Sequence, residues 1–449
     1  MSSLLRKTLS VFLALSLMLG STLAASAQQI GIIRDAEIEA MLRAYAAPLL
    51  RAAGIERAPQ ITVVNDRRFN AFVTEESRIF INYGTILESP TPSALKSVIA
   101  HEIGHLAGGH VARLREQMEI AGRVQAVSML LGIGAMAAAS GSSNSGEVGQ
   151  MASAFILASQ SAGLNSLMAY RQTEESAADA AALRLLNQTG QSGRGLVETL
   201  RILHDNQVAR AGASPYLSSH PLAMDRINQV EAGARASQFW GASDSANDVR
   251  MLAMAKAKLV GFLEPGNVAN RYPNSDSSLA ARYARTIAAY KSGGGASALQ
   301  FMPSLVAENG SNPYMHELYG QMLYELGQPA QAIAPLRRAV ELAPEEVQIR
   351  ILYGQALIGA GGVANFDEAV LQLRRSAVSE PSNVRVHTLM SQAYAGLGRM
   401  GDATLAAAEA ALARQDRGTA FGLARQATQQ LPQGTPGWLR ANDILAMNR

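Results

Sequence analysis

The stretch VIAHEIGHLAGGH, Val98 to His110, sets three histidines and one glutamate within thirteen residues. His101 and His105 are four apart, so on an α-helix they project about 40° apart and one turn apart, and both imidazoles can reach one zinc ion. Glu102 lies between them, where a carboxylate can take a proton from an attacking water. The competing reading is a solvated helix with stray histidines. The context argues against it, because apolar residues recur at helical spacing from Ser93 through the cluster.

A catalytic zinc needs a third protein ligand. His110 follows His101 by nine residues, whereas the metzincin pattern HExxHxxGxxH needs ten and finds Val111 there. If the helix continues, nine steps of 100° carry His110 to the opposite face, where it caps or packs. The segment RQTEESAAD, Arg171 to Asp179, offers carboxylates instead. On a helix Glu175 and Asp179 share a face, so one can bind metal while the other hydrogen-bonds a ligand histidine. Glu174 lies 100° round and is the reserve ligand. A solvated acidic face is the bland reading of the same residues.

Outward from the cluster, Ile38, Met41, Leu42, Tyr45 and Leu49 keep helical spacing. ITVVN (Ile61 to Asn65) and RIFIN (Arg78 to Asn82) read as strands, with a turn expected at Asn82-Tyr83-Gly84. Between residues 122 and 167 the chain turns to alanine, glycine, serine and methionine, with SGSSNSG at Ser140 to Gly146. Its longest apolar run, Ala126 to Ala139, is too short to span a membrane. The segment reads as a mobile lid or a hairpin contacting client or membrane surface, or else as two buried helices joined by a loop.

Further along, windows beginning at Leu279, Pro313 and Val347 repeat at the 34-residue period of tetratricopeptide helix pairs. Gly320, Leu323, Gly327, Ala332, Leu336, Ala339 and Pro344 fill the pattern of the second window. The third repeats Gly354, Leu357 and Gly361 and carries about three extra residues near Val363 to Asn365. A window from Val384 follows, then a helix pair from about Asp402 to Pro432. Such pairs stack into a solenoid whose concave face suits a peptide or partner protein.

At the other end, Arg6 and Lys7 precede an apolar run from Leu9 to Leu19, and Ala25-Ser26-Ala27 offers a cleavage site, so residues 1–27 read as a secretory signal peptide. Removing it leaves 37 basic and 36 acidic residues, too balanced for nucleic-acid binding. There is no cysteine, which excludes disulfides and thiolate zinc ligands.

HEIGH, then ExxAD at Glu175 to Asp179, then SSHPLAMDRI at Ser218 to Ile227 resembles the zinc peptidase family of the CAAX prenyl protease and the bacterial heat-shock membrane protease. VVNDRRFNAF and RIFINYGTIL resemble that family's strands before the metal helix. The resemblance covers nearly the whole chain after residue 27. It implies zinc held by His101, His105 and Glu175, Asp179 behind a ligand histidine, and His220 and Arg226 near the metal. It leaves His220 either stabilising the tetrahedral intermediate or filling zinc's open position in a latent state. One departure stands out: many relatives carry an arginine three residues before the ligand glutamate, whereas Arg171 is four before Glu175 and three before Glu174.

The expectation is therefore a mainly α chain with a small β-sheet: a zinc metallopeptidase domain over 28–235, a helical linker over 236–278 and a tetratricopeptide solenoid over 279–449. As the resemblance implies, it is a periplasmic endopeptidase with one zinc per chain, acting on misassembled outer-membrane proteins and docking on their assembly machinery through the repeats, with the substrate extended beside the Arg78 to Tyr83 strand. Peripheral membrane contact is a further expectation. The alternative is a chaperone or scaffold with a structural zinc, against which an intact Glu102 argues.

Overall fold

β-Branched runs too short to stand alone find each other across the chain. β1 (Ile32–Ile33), β2 (Ile61–Val64), β3 (Ala71–Val73) and β4 (Ile79–Asn82) form one sheet in the order β1-β2-β4-β3. β2 and β4 are parallel, Ile61 opposite Ile79, and β1 and β3 add antiparallel on either side. The computed structural model describes residues 31–139, 145–209, 220 and 224–447, so the expected signal peptide lies outside the described residues. Helix α1 (Ala36–Ala52) starts where Asp35 accepts from the Ile38 N–H, and it buries Ile38, Met41, Leu42, Tyr45 and Leu49 as their spacing requires.

The turn expected at Asn82-Tyr83-Gly84 is absent. The chain passes from Asn82 straight into α2 (Tyr83–Glu88), where Thr85 exchanges hydrogen bonds with the backbone of Asn70 and ties the helix to the run-in of β3.

Next comes α3 (Pro92–Gly108), the helix of the histidine cluster, capped by Thr91 and opened by Pro92. It is buried almost to its end and packs on β3, on Ser145–Gln188 and on Arg194–Ala209. A long antiparallel pair follows, α4 (His110–Ala139) and α5 (Ser145–Gln188), of 30 and 44 residues. Then come α6 (Arg194–Ala209) and α7 (Met224–Arg235). The segment 122–167 is thus helical on both arms of a hairpin, yet Val127, Leu130, Leu131, Met151, Leu157 and Leu164 are exposed. The reading as two ordinary buried helices fails.

The segment 236–278, expected as a linker, is built into the core. Its main helix α8 (Ala246–Leu263) packs on α1, α2 and α3 and on the first repeat helix, burying Leu252, Met254, Leu259 and Val260. After a 3-10 turn (Pro265–Asn267) and α9 (Val268–Arg271), ten helices pair off. They are α10 (Leu279–Lys291) with α11 (Gly295–Glu308), α12 (Pro313–Glu325) with α13 (Pro329–Leu342), and α14 (Val347–Ala360) with α15 (Val363–Ser379). α16 (Val384–Gly396) with α17 (Met400–Ala413) and α18 (Arg417–Gln430) with α19 (Pro436–Ala446) complete the array. The first three pairs start at the three window positions. The insertion falls at the start of α15, the helix pair expected from about Asp402 to Pro432 is α17 with α18, and α19 follows it. Gly320 faces Leu336 and Gly354 faces Leu373 so closely that a Cβ at either glycine would meet the leucine within 3.0 Å. One apolar core runs without a break from α1 through α8 into α12.

Candidate active site

Three glycines shape the cluster. At Gly104 a Cβ would come within 2.9 Å of the Ala178 carbonyl, so its absence lets α5 lie against the histidine helix. Gly109 ends that helix in the left-handed region (φ 66°), its N–H returning to the His105 and Leu106 carbonyls. The helix therefore does not continue to His110, and the expected opposite-face placement is corrected. His110 starts α4 with its ring folded back over Gly108, where a Cβ would collide with it, and its Nδ1 lies 2.9 Å from His105 Nδ1.

Sequence-distant groups then converge. His101 Nε2 and His105 Nε2 face each other at 3.0 Å. Glu175 sets one oxygen 3.3 Å from each of them. His220 brings Nδ1 to 2.9 Å from Glu175 and 3.4 Å from His101 Nε2. These four buried side chains each offer a ligand atom, all within 4.8 Å of one another. Glu174 points elsewhere, pairing at 2.9 Å with His110 Nε2 and at 2.8 Å with Arg113. Arg171 lines the same cleft as Glu174 and Glu175.

Around the four sits a layer that fixes their orientation. Asp179 accepts at 2.9 Å from the His101 Nδ1 side, which turns His101 Nε2 inward toward the other donors. Arg226 bridges both carboxylates, with Nε 2.5 Å from Asp179 and a terminal nitrogen 2.9 Å from Glu175. On the other flank His110 and Glu174 do for His105 what Asp179 does for His101. Sequence reasoning missed that role; the Gly108-Gly109 pair before His110, a helix-stop signal, was the clue.

Burial and charge are set for a cation. Although burial disfavours charge on His101, Asp179 and Glu175 raise its pKa to about 10. Burial lowers His105 to about 3. Burial also disfavours ionised Glu175, but the surrounding histidines overcome it and hold the carboxyl far below its ordinary range. Asp179 is likewise depressed, its burial outweighed by the His101 hydrogen bond and Arg226. Glu102 goes the other way, pushed up by burial. It is fully buried, and neither carboxylate oxygen has a hydrogen-bond partner among the described residues. Such an orphaned carboxylate is costly unless something donates to it, and a water held at a metal among the four ligand atoms is a donor of the right kind. The donor set of three nitrogens and a carboxylate, without thiolate, fits zinc.

The cleft over the cluster, about 180 Å³, is bounded by Phe72 and Val73 of β3, by Glu102, and by Tyr170 and Leu114 of the two long helices. The strand beside it is the sheet edge β3. β4, which holds most of the Arg78 to Tyr83 strand, is paired on both sides and has no free edge for an added chain, so that expectation is corrected to β3. His220 spans the cleft, with Nε2 3.2 Å from the Ala71 carbonyl of that edge.

Residues 33–234 match the model of Peptidase family M48. The chain is 23% identical over 309 residues to the β-barrel assembly-enhancing protease of Yersinia pestis, covering 66% of this chain and 60% of that one. It is 26% identical over 205 residues to the β-barrel assembly-enhancing protease of Escherichia coli, covering 45% and 39%. The matches thus span less than two thirds of these relatives' length. Among solved structures, "MamA MSR-1 C2" is similar at 18% identity and a TM-score of 0.32, over 37% of this chain and 95% of that one. Residues 33–234 of this chain form a peptidase family M48 domain, homologous to the β-barrel assembly-enhancing proteases.

Proposed function

We propose that the chain is a periplasmic zinc endopeptidase, with His101, His105 and Glu175 as the zinc ligands and Glu102 as general base. The observation that carries this is the buried Glu102 carboxylate, which has no hydrogen-bond partner among the described residues and lies 3.7 Å from His220 Nε2, beside the four-residue donor cluster. Zinc, when bound, supplies a Lewis acid that polarises the scissile carbonyl and makes water nucleophilic near neutral pH. An extended substrate adds to β3 as a further strand, which fixes the scissile carbonyl over the cluster. Glu102 takes one proton from the attacking water as its oxygen joins the carbonyl carbon, then delivers that proton to the amide nitrogen as the C–N bond breaks. The raised Glu102 pKa suits both halves of that transfer. Asp179 and Arg226 are positioning residues that hold His101 and Glu175 in register.

In this arrangement His220 acts as a latch. Its Nδ1 is the fourth donor, and its Nε2 covers the Ala71 carbonyl that an added strand would use. A water site and a substrate acceptor are closed by one imidazole, so hydrolysis waits on its withdrawal. The names of the relatives support clients among outer-membrane proteins under assembly, and the repeat array supports docking on their assembly machinery.

The closed four-donor set also favours a second reading, a chaperone or scaffold with structural zinc. His220→Ala separates them by proteolysis of casein. The latch reading expects basal turnover to rise with zinc retained. A structural site expects none in either form, and a transition-state role for His220 expects a fall.

A further inference from the structure

The α4–α5 hairpin is built inside out for water. From Val124 to Tyr170 the sequence holds one charged residue, Glu147, while Arg113, Arg115, Glu119 and Arg123 on one arm and Arg171 and Glu174 on the other gather toward the body. A helix pair in water puts its large apolar side chains in the seam and polar ones outside. Here the buried positions between residues 121 and 134 are Ser128 and Gly132, with Ala152 buried on the facing arm. The helices meet so closely at Gly132 that a Cβ there would strike Ile156 at 2.6 Å. Val127, Leu130, Leu131, Met151, Leu157 and Leu164 are turned outward, each between 56% and 72% exposed.

Their distribution identifies the occupant. At 100° per residue, Val124 through Ile133 spread their large apolar side chains over an arc of about 220° on the side away from the seam. A second copy of the chain or a client protein would cover one side of such a rod. Hydrocarbon covers all of it, and between helices in hydrocarbon the stabilising contacts come from small residues packed closely, as at Ser128, Gly132 and Ala152. No described helix is long and apolar enough to cross a membrane, so the seat lies within one leaflet.

We propose that the hairpin inserts into one leaflet of a phospholipid bilayer, with Arg123 at the headgroup level. Because His110 begins one arm and Glu174 and Glu175 lie on the other, this seat holds the donor cluster beside the membrane surface. If the peptidase reading also holds, the substrates are extended polypeptide segments lying at that surface. Insertion itself rests on residues outside the cluster and stands independently of that reading.

Flotation of the full chain with vesicles of phosphatidylethanolamine and phosphatidylglycerol, and separately of phosphatidylcholine, tests this. The chain is expected to float with both, in low and high salt, since apolar insertion does not depend on lipid charge. The double variant Leu131→Asp, Leu157→Asp, altered at exposed positions, is expected to keep its fold and lose binding by roughly tenfold or more. The absence of cysteine allows a second measurement that does not rely on that variant: an environment-sensitive dye on Leu157→Cys shifts to apolar emission on adding vesicles, while the same dye on Val378→Cys of α15, which is 84% exposed, does not. Failure of the parent chain to float, equal flotation of the double variant, or an unshifted dye at position 157 would overturn the proposal. So would a dimer that the double substitution dissociates, in a chain that ignores vesicles. Casein cleavage unchanged in the double variant would show the peptidase reading surviving on its own.

Discussion

Glu102 and Glu175 are both buried glutamates within one cluster, yet they are expected to fail differently. Glu102→Gln keeps shape and volume and removes only the base, so zinc content should stay at the parent level while peptide hydrolysis falls by about two to four orders of magnitude. Metal analysis and turnover on one sample check this, and near-parent turnover would remove Glu102 from the mechanism. Glu175→Gln should instead weaken zinc binding sharply, whereas Glu174→Gln should largely retain it, since Glu174 is engaged with His110 and Arg113. His110→Ala should also retain zinc, with a lesser loss of affinity, because His110 only orients His105. Competition against a chelator ranks the three. The sequence made His101, Glu102 and His105 legible, because four-residue spacing on a helix admits little else. It ranked Glu175 above Glu174 only by the face shared with Asp179, since neighbours on an alanine-rich helix differ only in which side meets α3. The orienting role of His110 was not legible, because a helix stop changes direction as well as length, and periodicity carries only length.

Among the elements, short strands were the hardest to read. β2 and β4 announce themselves by β-branched residues, but β1 and β3 have two and three residues and owe their conformation to the strands they pair with. Residue patterning therefore points to β4 as the substrate edge, and pairing leaves that role to β3. The junction of α1, α8 and α12 had no signal at all. There Lys258, 3% exposed, pairs with Asp35 at 2.7 Å, Glu37 at 3.5 Å and Glu317 at 3.6 Å, while Tyr283 donates to Glu37 at 3.0 Å. Lys258→Met should cost about 3–5 kcal/mol in urea denaturation, because it strands acids in a buried site. The same junction sets a pH dependence. Burial, only partly opposed by Lys258, pushes Glu317 up to about 8 from an ordinary 4.5. The folded chain then holds a proton that the unfolded chain releases, so this contribution is fully present below about pH 4.5, falls as pH rises, and is gone above about 8. Melting temperature should therefore decline between about pH 4.5 and pH 8, the window those two values bracket, and Glu317→Gln should flatten the decline. Parallel pH curves for the two proteins would contradict it.

At the scale of the whole molecule, the repeats and the peptidase domain behave as parts of one body. Arg34 reaches Glu380 at 2.6 Å, Arg43 pairs with Glu346, and the core continues from α1 into α12. The 34-residue period made the repeat array readable in advance, because each pair reuses one small-against-large contact, such as Gly320 on Leu336. The docking of that array was not readable, since it depends on charges that meet only after both parts have folded. Thermal unfolding is accordingly expected to show the first repeat pairs melting together with the peptidase domain, and a well-separated early transition for α10 to α13 would contradict this. The central claim is that the cluster of His101, His105 and Glu175 holds a zinc that makes this chain a peptidase. The most direct measurement is zinc content and casein cleavage by the purified His220→Ala protein, before chelation, after it, and after zinc is restored. About one zinc per chain is expected, with cleavage abolished by its removal and recovered with its return. Cleavage indifferent to chelation, or a fully zinc-loaded protein that cleaves nothing, would contradict it.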